Sequence, residues 1–112
     1  MLAYAFVVAY QSDPWSVLGD GSRRAIVGRL SLGACTVADL AGGMPISRPA
    51  VSQHLKVLKD AGVVQDRVSG RHRVYSLDAE RLERFRHQLD QFWSDAFTHL
   101  AARIDEQERG AG

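Results

Sequence analysis

From about Ser12 onward, apolar positions recur with helical spacing as far as residue 62 and then switch to strand spacing. Asp13-Pro14-Trp15 opens a short helix through Leu18, because Asp accepts amide hydrogens at an N-cap and Pro fits the first turn. Gly19 ends that helix. Asp20 then caps a second one, in which Ile26, Val27 and Leu30 share a side, and Gly33 stops it. A third short helix is predicted from Thr36 to Ala41, burying Val37 and Leu40 before the turn Gly42-Gly43-Met44-Pro45. Ser47 caps a fourth, SRPAVSQHLKVLKDAG, with Gly62 at its C-cap. Val63–Val68 and His72–Leu77 are β-prone runs around Ser69-Gly70-Arg71, which predicts a hairpin. Asp78 caps a last helix that runs to about Glu106, close to 30 residues and so about 45 Å long.

The resulting order is four helices, a hairpin and one long helix: mainly α with a β-hairpin. Helix three, its turn and helix four have the layout of a helix-turn-helix, and the hairpin stands where a wing would. The domain is expected to span residues 12–106, with an apolar N-terminal arm at 1–11 and a flexible tail at 107–112.

Length and composition narrow the class. A chain of 112 residues, 46% apolar and 24% charged, suits one globular domain with a thin core that a partner subunit would help to cover. The lone Cys35 excludes a disulfide framework and any CxxC or four-cysteine zinc site within one chain, and fits a cytoplasmic protein. The opening MLAYAFVVAY is about half a membrane span long and lacks the charged start of a signal peptide, so no membrane partner is expected. The net charge of +1 conceals a division. Residues 1–46 are balanced, residues 47–75 carry six cations against two carboxylates, and residues 76–112 carry five against eight. A basic middle and an acidic end need explaining.

Helix four accounts for much of the basic segment. At about 100° per residue, Val51, Leu55 and Leu58 form a stripe to be buried. Pro49, Ser52, Gln53 and Lys56 lie opposite, with Arg48 and Lys59 on the flank and His54 on the shoulder, where it packs or meets phosphate. A major groove suits such a face: Gln can bond an adenine edge twice, Arg a guanine edge, and Ser a base or phosphate. Ser47 leaves the helix N-terminus free to meet the DNA backbone. Any surface helix is polar opposite its apolar stripe, and helix-turn-helix topology also occurs in modules that bind only protein. The hairpin tips the balance toward double-stranded DNA, because Arg67, Arg71, His72 and Arg73 flank its turn within seven positions. Catalytic arrangements are missing. Ser52-Gln53-His54 is a helical run whose side chains diverge, and Gly19-Asp20-Gly21 lacks the rest of a phosphate loop. No enzyme activity is expected.

The segments DPWSVLGDGSRRAIVGRL, SRPAVSQHLKVLKDAGVV and SGRHRVYSL resemble the ArsR family of winged-helix bacterial transcriptional regulators over about Asp13 to Ile104. The resemblance implies a homodimeric repressor whose fourth helix enters the major groove beside a DNA-contacting wing, with dimerisation through the first and last helices. The last helix supports dimerisation independently. Leu82, Phe85, Leu89, Phe92, Trp93, Ala96, Phe97, Leu100 and Ile104 fall within about 140° of arc, more apolar surface than one small head covers. Trp15 is a further candidate for that interface. The family's metal box has two cysteines where this chain has Thr36 and Ala38, with Cys35 displaced by one. The Asp-x-His element of a second family metal site is also missing, and His87 and His99 lie about 160° apart around the helix. No metal or other cofactor is therefore expected. Cys35 is either a redox-sensitive thiol or a small buried residue.

Overall fold

A computed structural model describes residues 14–111; the N-terminal arm, the Asp13 cap and the Trp15 side chain lie outside the described residues. The described elements are α1 (Pro14–Val17), α2 (Gly21–Leu30), α3 (Val37–Gly42), α4 (Arg48–Asp60), β1 (Val64–Ser69), β2 (His72–Leu77) and α5 (Ala79–Ala111). They divide into two compact units, one ending at Arg81 and the other beginning at Leu82 within α5.

Local chemistry starts each helix where the sequence suggests. Asp20 accepts from the Arg23 amide at 3.1 Å, and Ser47 Oγ accepts from the Ala50 amide at 3.3 Å. Thr36 and Asp39 form a reciprocal capping box at 3.1 and 3.2 Å, which fixes the start of α3. Asp78 caps α5 by accepting from the Arg81 amide at 3.1 Å. Two arginines close the end of α1: Arg23 Nε donates to the Val17 carbonyl at 2.7 Å, and Arg24 Nη1 to those of Leu18 and Gly19 at 2.9 and 3.0 Å. Their charge complements the negative end of a helix too short to hold itself.

The end of α4 is a Schellman motif. The Val63 amide donates to the Leu58 carbonyl and the Gly62 amide to the Lys59 carbonyl, both at 2.9 Å. Gly62 sits between them at φ 81°, and a Cβ built there would run into the Arg81 side chain. The chain then enters β1, which pairs antiparallel with β2 from Val64↔Leu77 to Ser69↔His72. The loop has two residues, Gly70 at φ 62° followed by Arg71 at negative φ, as in a type II′ turn. A third strand position comes from the α2–α3 connection, where Cys35 and Tyr75 exchange backbone hydrogen bonds of 3.0 and 2.8 Å.

The core of this unit comprises Val17, Ile26, Leu30, Cys35, Leu40, Val51, Leu55, Leu58, Val63 and Val64. Every helix of the unit and the base of the hairpin contribute. Val27 and Val37, expected inside, are only half-buried, because short helices leave the flanks of their stripes near solvent. Cys35 is 1% exposed, with its thiol donating toward the Gly33 carbonyl.

In the second unit, α5 runs on to Ala111 rather than ending at Glu106, so residues 107–111 are helical and not a tail. Gln107, Glu108 and Arg109 are good helix formers, and no proline interrupts them. Pairs one turn apart line its polar side, with Gln91 donating to Asp95 at 3.0 Å and Arg86 set 4.0 Å from Asp90.

Two glycines should respond oppositely to alanine. Gly62→Ala is expected to destabilise by about 1 kcal/mol or more, since the residue needs positive φ and Arg81 fills the space. Gly28→Ala, in the interior of α2 with nothing within 4 Å of the new Cβ, should stabilise by about 0.5–1 kcal/mol. Urea denaturation of both variants checks the sign of each.

Candidate nucleic-acid interface

The turn between α3 and α4 delivers a helix with one buried and one exposed side. Val51, Leu55 and Leu58 have no exposed surface, whereas Ser47, Arg48, Pro49, Ser52, Gln53, Lys56 and Lys59 are all exposed. His54 lies between the two faces, half-buried. Close to this face, at the start of α2, the hydrogen bond from the Arg23 amide holds the Asp20 carboxyl below the usual carboxylate range.

The hairpin separates cations that are adjacent in sequence. Side chains alternate between faces along a strand, so the register puts Asp66, Val68, Arg73 and Tyr75 on one face and Arg67, Val74 and His72 on the other. Arg71 stands in the turn between them. Arg67, Arg71, His72 and Arg73 are all exposed, yet they do not form one patch.

The face carrying Asp66 meets α4. Lys59 Nζ lies 2.9 Å from Asp66 Oδ1, and Arg73 Nη1 donates to Asp66 Oδ2 at 2.6 Å. The Asp66 side chain is only 8% exposed, while those of Lys59 and Arg73 are 50% and 53% exposed. The hydrogen bond from Lys59, then that from Arg73, holds the Asp66 carboxyl below its usual range. A groove of about 330 Å³ opens over this triad, lined also by Ser52, Lys56 and Tyr75. Sequence reasoning places Lys59 and Arg73 among the DNA-facing cations but misses Asp66. The signal available was a carboxylate inside a basic β-prone run. Its partners depend on strand register and on the packing of α4, neither of which a linear pattern supplies.

Among the described residues, Arg48, Lys56, Arg67 and Arg71 are exposed with no carboxylate within ion-pair distance. Thr36 spends its hydroxyl on the capping box of α3. No three His, Cys, Asp or Glu side chains converge among the described residues. No described helix is long and apolar enough to cross a membrane.

On α5, Leu82, Phe85, Leu89 and Ala96 are half-buried. Trp93, Phe97, Leu100 and Ile104 are each about half exposed or more, as is Phe92. Trp93 packs edge-on to Phe92, with ring centroids 5.7 Å apart, and lies 6.0 Å from Phe97.

Comparison with known proteins gives consistent matches. A helix-turn-helix domain family matches residues 18–67. The chain is 54% identical over 93 residues to the HTH-type transcriptional regulator Rv2034 of Mycobacterium tuberculosis, covering 83% of this chain and 87% of that protein. It is 36% identical over 72 residues to the transcriptional repressor SdpR of Bacillus subtilis, covering 64% and 80%. Among solved structures, the ArsR-like transcriptional regulator from Rhodococcus sp. RHA1 superposes with a TM-score of 0.72 at 26% identity, covering 86% of this chain and 91% of that one.

The Asp66 triad gives folding stability a definite pH dependence. A carboxyl whose folded pKa is depressed stabilises the fold above its unfolded value, about 3.9 for Asp, and that contribution is lost as pH falls through the lower folded value. Thermal melts of wild type and Asp66→Asn should differ above about pH 4 and converge as pH falls through the lowered folded value. Curves that stay equally separated down to the lowest pH would show that the carboxylate charge is not what the fold uses.

Proposed function

Since this chain belongs to the ArsR family of DNA-binding transcriptional regulators, we propose that it is a homodimeric repressor that binds a palindromic operator. In this reading α4 enters the major groove, with Gln53 and Ser52 toward base edges and Arg48 at the helix start. Lys56 on α4 and Arg67 and Arg71 on the wing meet phosphates on either side. The observation that carries the reading is the exposure of α4's polar face beside a basic hairpin in one compact unit. A surface helix has polar residues for solubility alone, but solubility does not require four exposed cations without carboxylate partners on one helix and the hairpin that follows it.

The second unit supports the dimer. Trp93, Phe97, Leu100 and Ile104 present an apolar stripe along α5, and a second copy related by a two-fold axis would cover it with the same stripe. Two recognition helices then face one duplex, and the symmetry of the protein asks for a symmetric operator.

Two experiments bear on this. With four free cations per protomer, the logarithm of operator affinity should fall against the logarithm of salt concentration with a slope of about −7 for the dimer. Gln53→Ala should cost about 1–3 kcal/mol on the operator and relax base preference, while Arg71→Ala weakens all sequences alike. A flat salt response on every duplex recovered from the genome would favour a winged-helix module that binds protein. For assembly, Trp93→Asp combined with Phe97→Asp should give monomers by light scattering; a stable dimer would place the interface elsewhere.

A further inference from the structure

The triad at the junction of α4 and the wing has a consequence for how the interface discriminates. Lys59 and Arg73 are half exposed and border the groove over the recognition helix, so position alone would make them phosphate ligands. Both are already held by one carboxylate, at 2.9 and 2.6 Å. That carboxylate is covered, and Tyr75 lies directly across the ladder from it. Its two oxygens each take a different cation, one from the helix and one from the wing, the same service a backbone phosphate would offer.

We propose that Asp66 is an internal stand-in for a DNA phosphate, occupying Lys59 and Arg73 and so limiting the sequence-independent contacts of each protomer. The inference rests on the DNA-binding reading and deepens it. A phosphate arriving at the groove must either displace a nearly covered carboxylate or share its cations against that carboxylate's repulsion. Sequence-independent affinity scales with the number of phosphates neutralised, so two silent cations per protomer suppress binding to random DNA. Base contacts from Gln53 then make up a larger fraction of the total. The same triad ties the end of α4 to the wing, so the two DNA-facing elements are held in one arrangement before DNA arrives.

The salt dependence of binding to a random-sequence duplex tests this with the full-length chain. Asp66→Asn should steepen the dimer's slope from about −7 to about −11, as four more cations become available. It should also lower the ratio of operator to random affinity. Asp66→Glu, which keeps the charge, should return the slope toward wild type. In the wild-type background, Lys59→Gln and Arg73→Gln should leave the slope unchanged, and adding both to Asp66→Asn should restore about −7. These two single variants decide the matter even if Asp66→Asn does not fold. The proposal is overturned if a folded Asp66→Asn dimer keeps the wild-type slope. It is equally overturned if Lys59→Gln or Arg73→Gln alone flattens the wild-type slope by about 2, the loss expected when each protomer gives up one phosphate contact. Both of those results leave the DNA-binding reading intact. A wild-type dimer that binds no duplex would remove that reading and this inference together.

Discussion

Burial of Val51, Leu55 and Leu58 is the constraint on which the candidate interface depends. A helix has no intrinsic front, and the choice of which residues face outward is made by which ones leave water. Each of these three side chains gains about 1.5–3 kcal/mol on burial, more than any single polar contact on the opposite face could offset. Ser52, Gln53 and Lys56 are exposed because they lie about a quarter to half a turn away from that stripe. The Ser47 cap and the Schellman motif at Gly62 then set where the helix begins and ends, so the face has a fixed length as well as a fixed direction.

The wing is tied to this helix at three levels. Covalently, the tight turn at Gly62 leads from one to the other within a few residues. Through the backbone, the Val63 amide donates to the Leu58 carbonyl at the end of α4, and Cys35 bridges Tyr75, which fastens β2 to the α2–α3 connection. Through side chains, Asp66 joins Lys59 to Arg73. The first two ties hold the base of the hairpin and leave its tip exposed around Gly70 and Arg71. Only the third tie is made by charged side chains, two of them half exposed.

Charge read along the chain and charge presented in space are different quantities here. The basic middle segment holds six cations, but two are paired internally and the wing's remainder is divided between a strand face and a turn. Arg23 and Arg24, in the balanced first segment, are engaged within the fold. They donate to the carbonyls that end α1. The acidic end of the chain lies along α5, where its carboxylates alternate with arginines on the polar side of a helix.

Much of the architecture was legible because it rests on local rules. Asp20, Thr36, Ser47 and Asp78 each cap the helix that follows, and Gly62 and Gly70 each occupy a positive-φ position that a side chain resists. The buried stripe of α4 followed from helical period alone. The end of α5 is not legible in this way, because Gln107, Glu108 and Arg109 continue the helix past Glu106 and no proline stops it. The separation of Arg73 from Arg67 and His72 required the register of the hairpin, which a shift of one residue would invert. Asp66 required more still, because its partners lie seven positions away on either side, one on a helix and one on a strand. The sequence by itself therefore determined the elements, their caps and the polar face of α4, since those depend on neighbours within a turn or two. Only the tertiary structure decided which cations remain available to a partner, because pairing in space is set by packing between elements and not by distance along the chain.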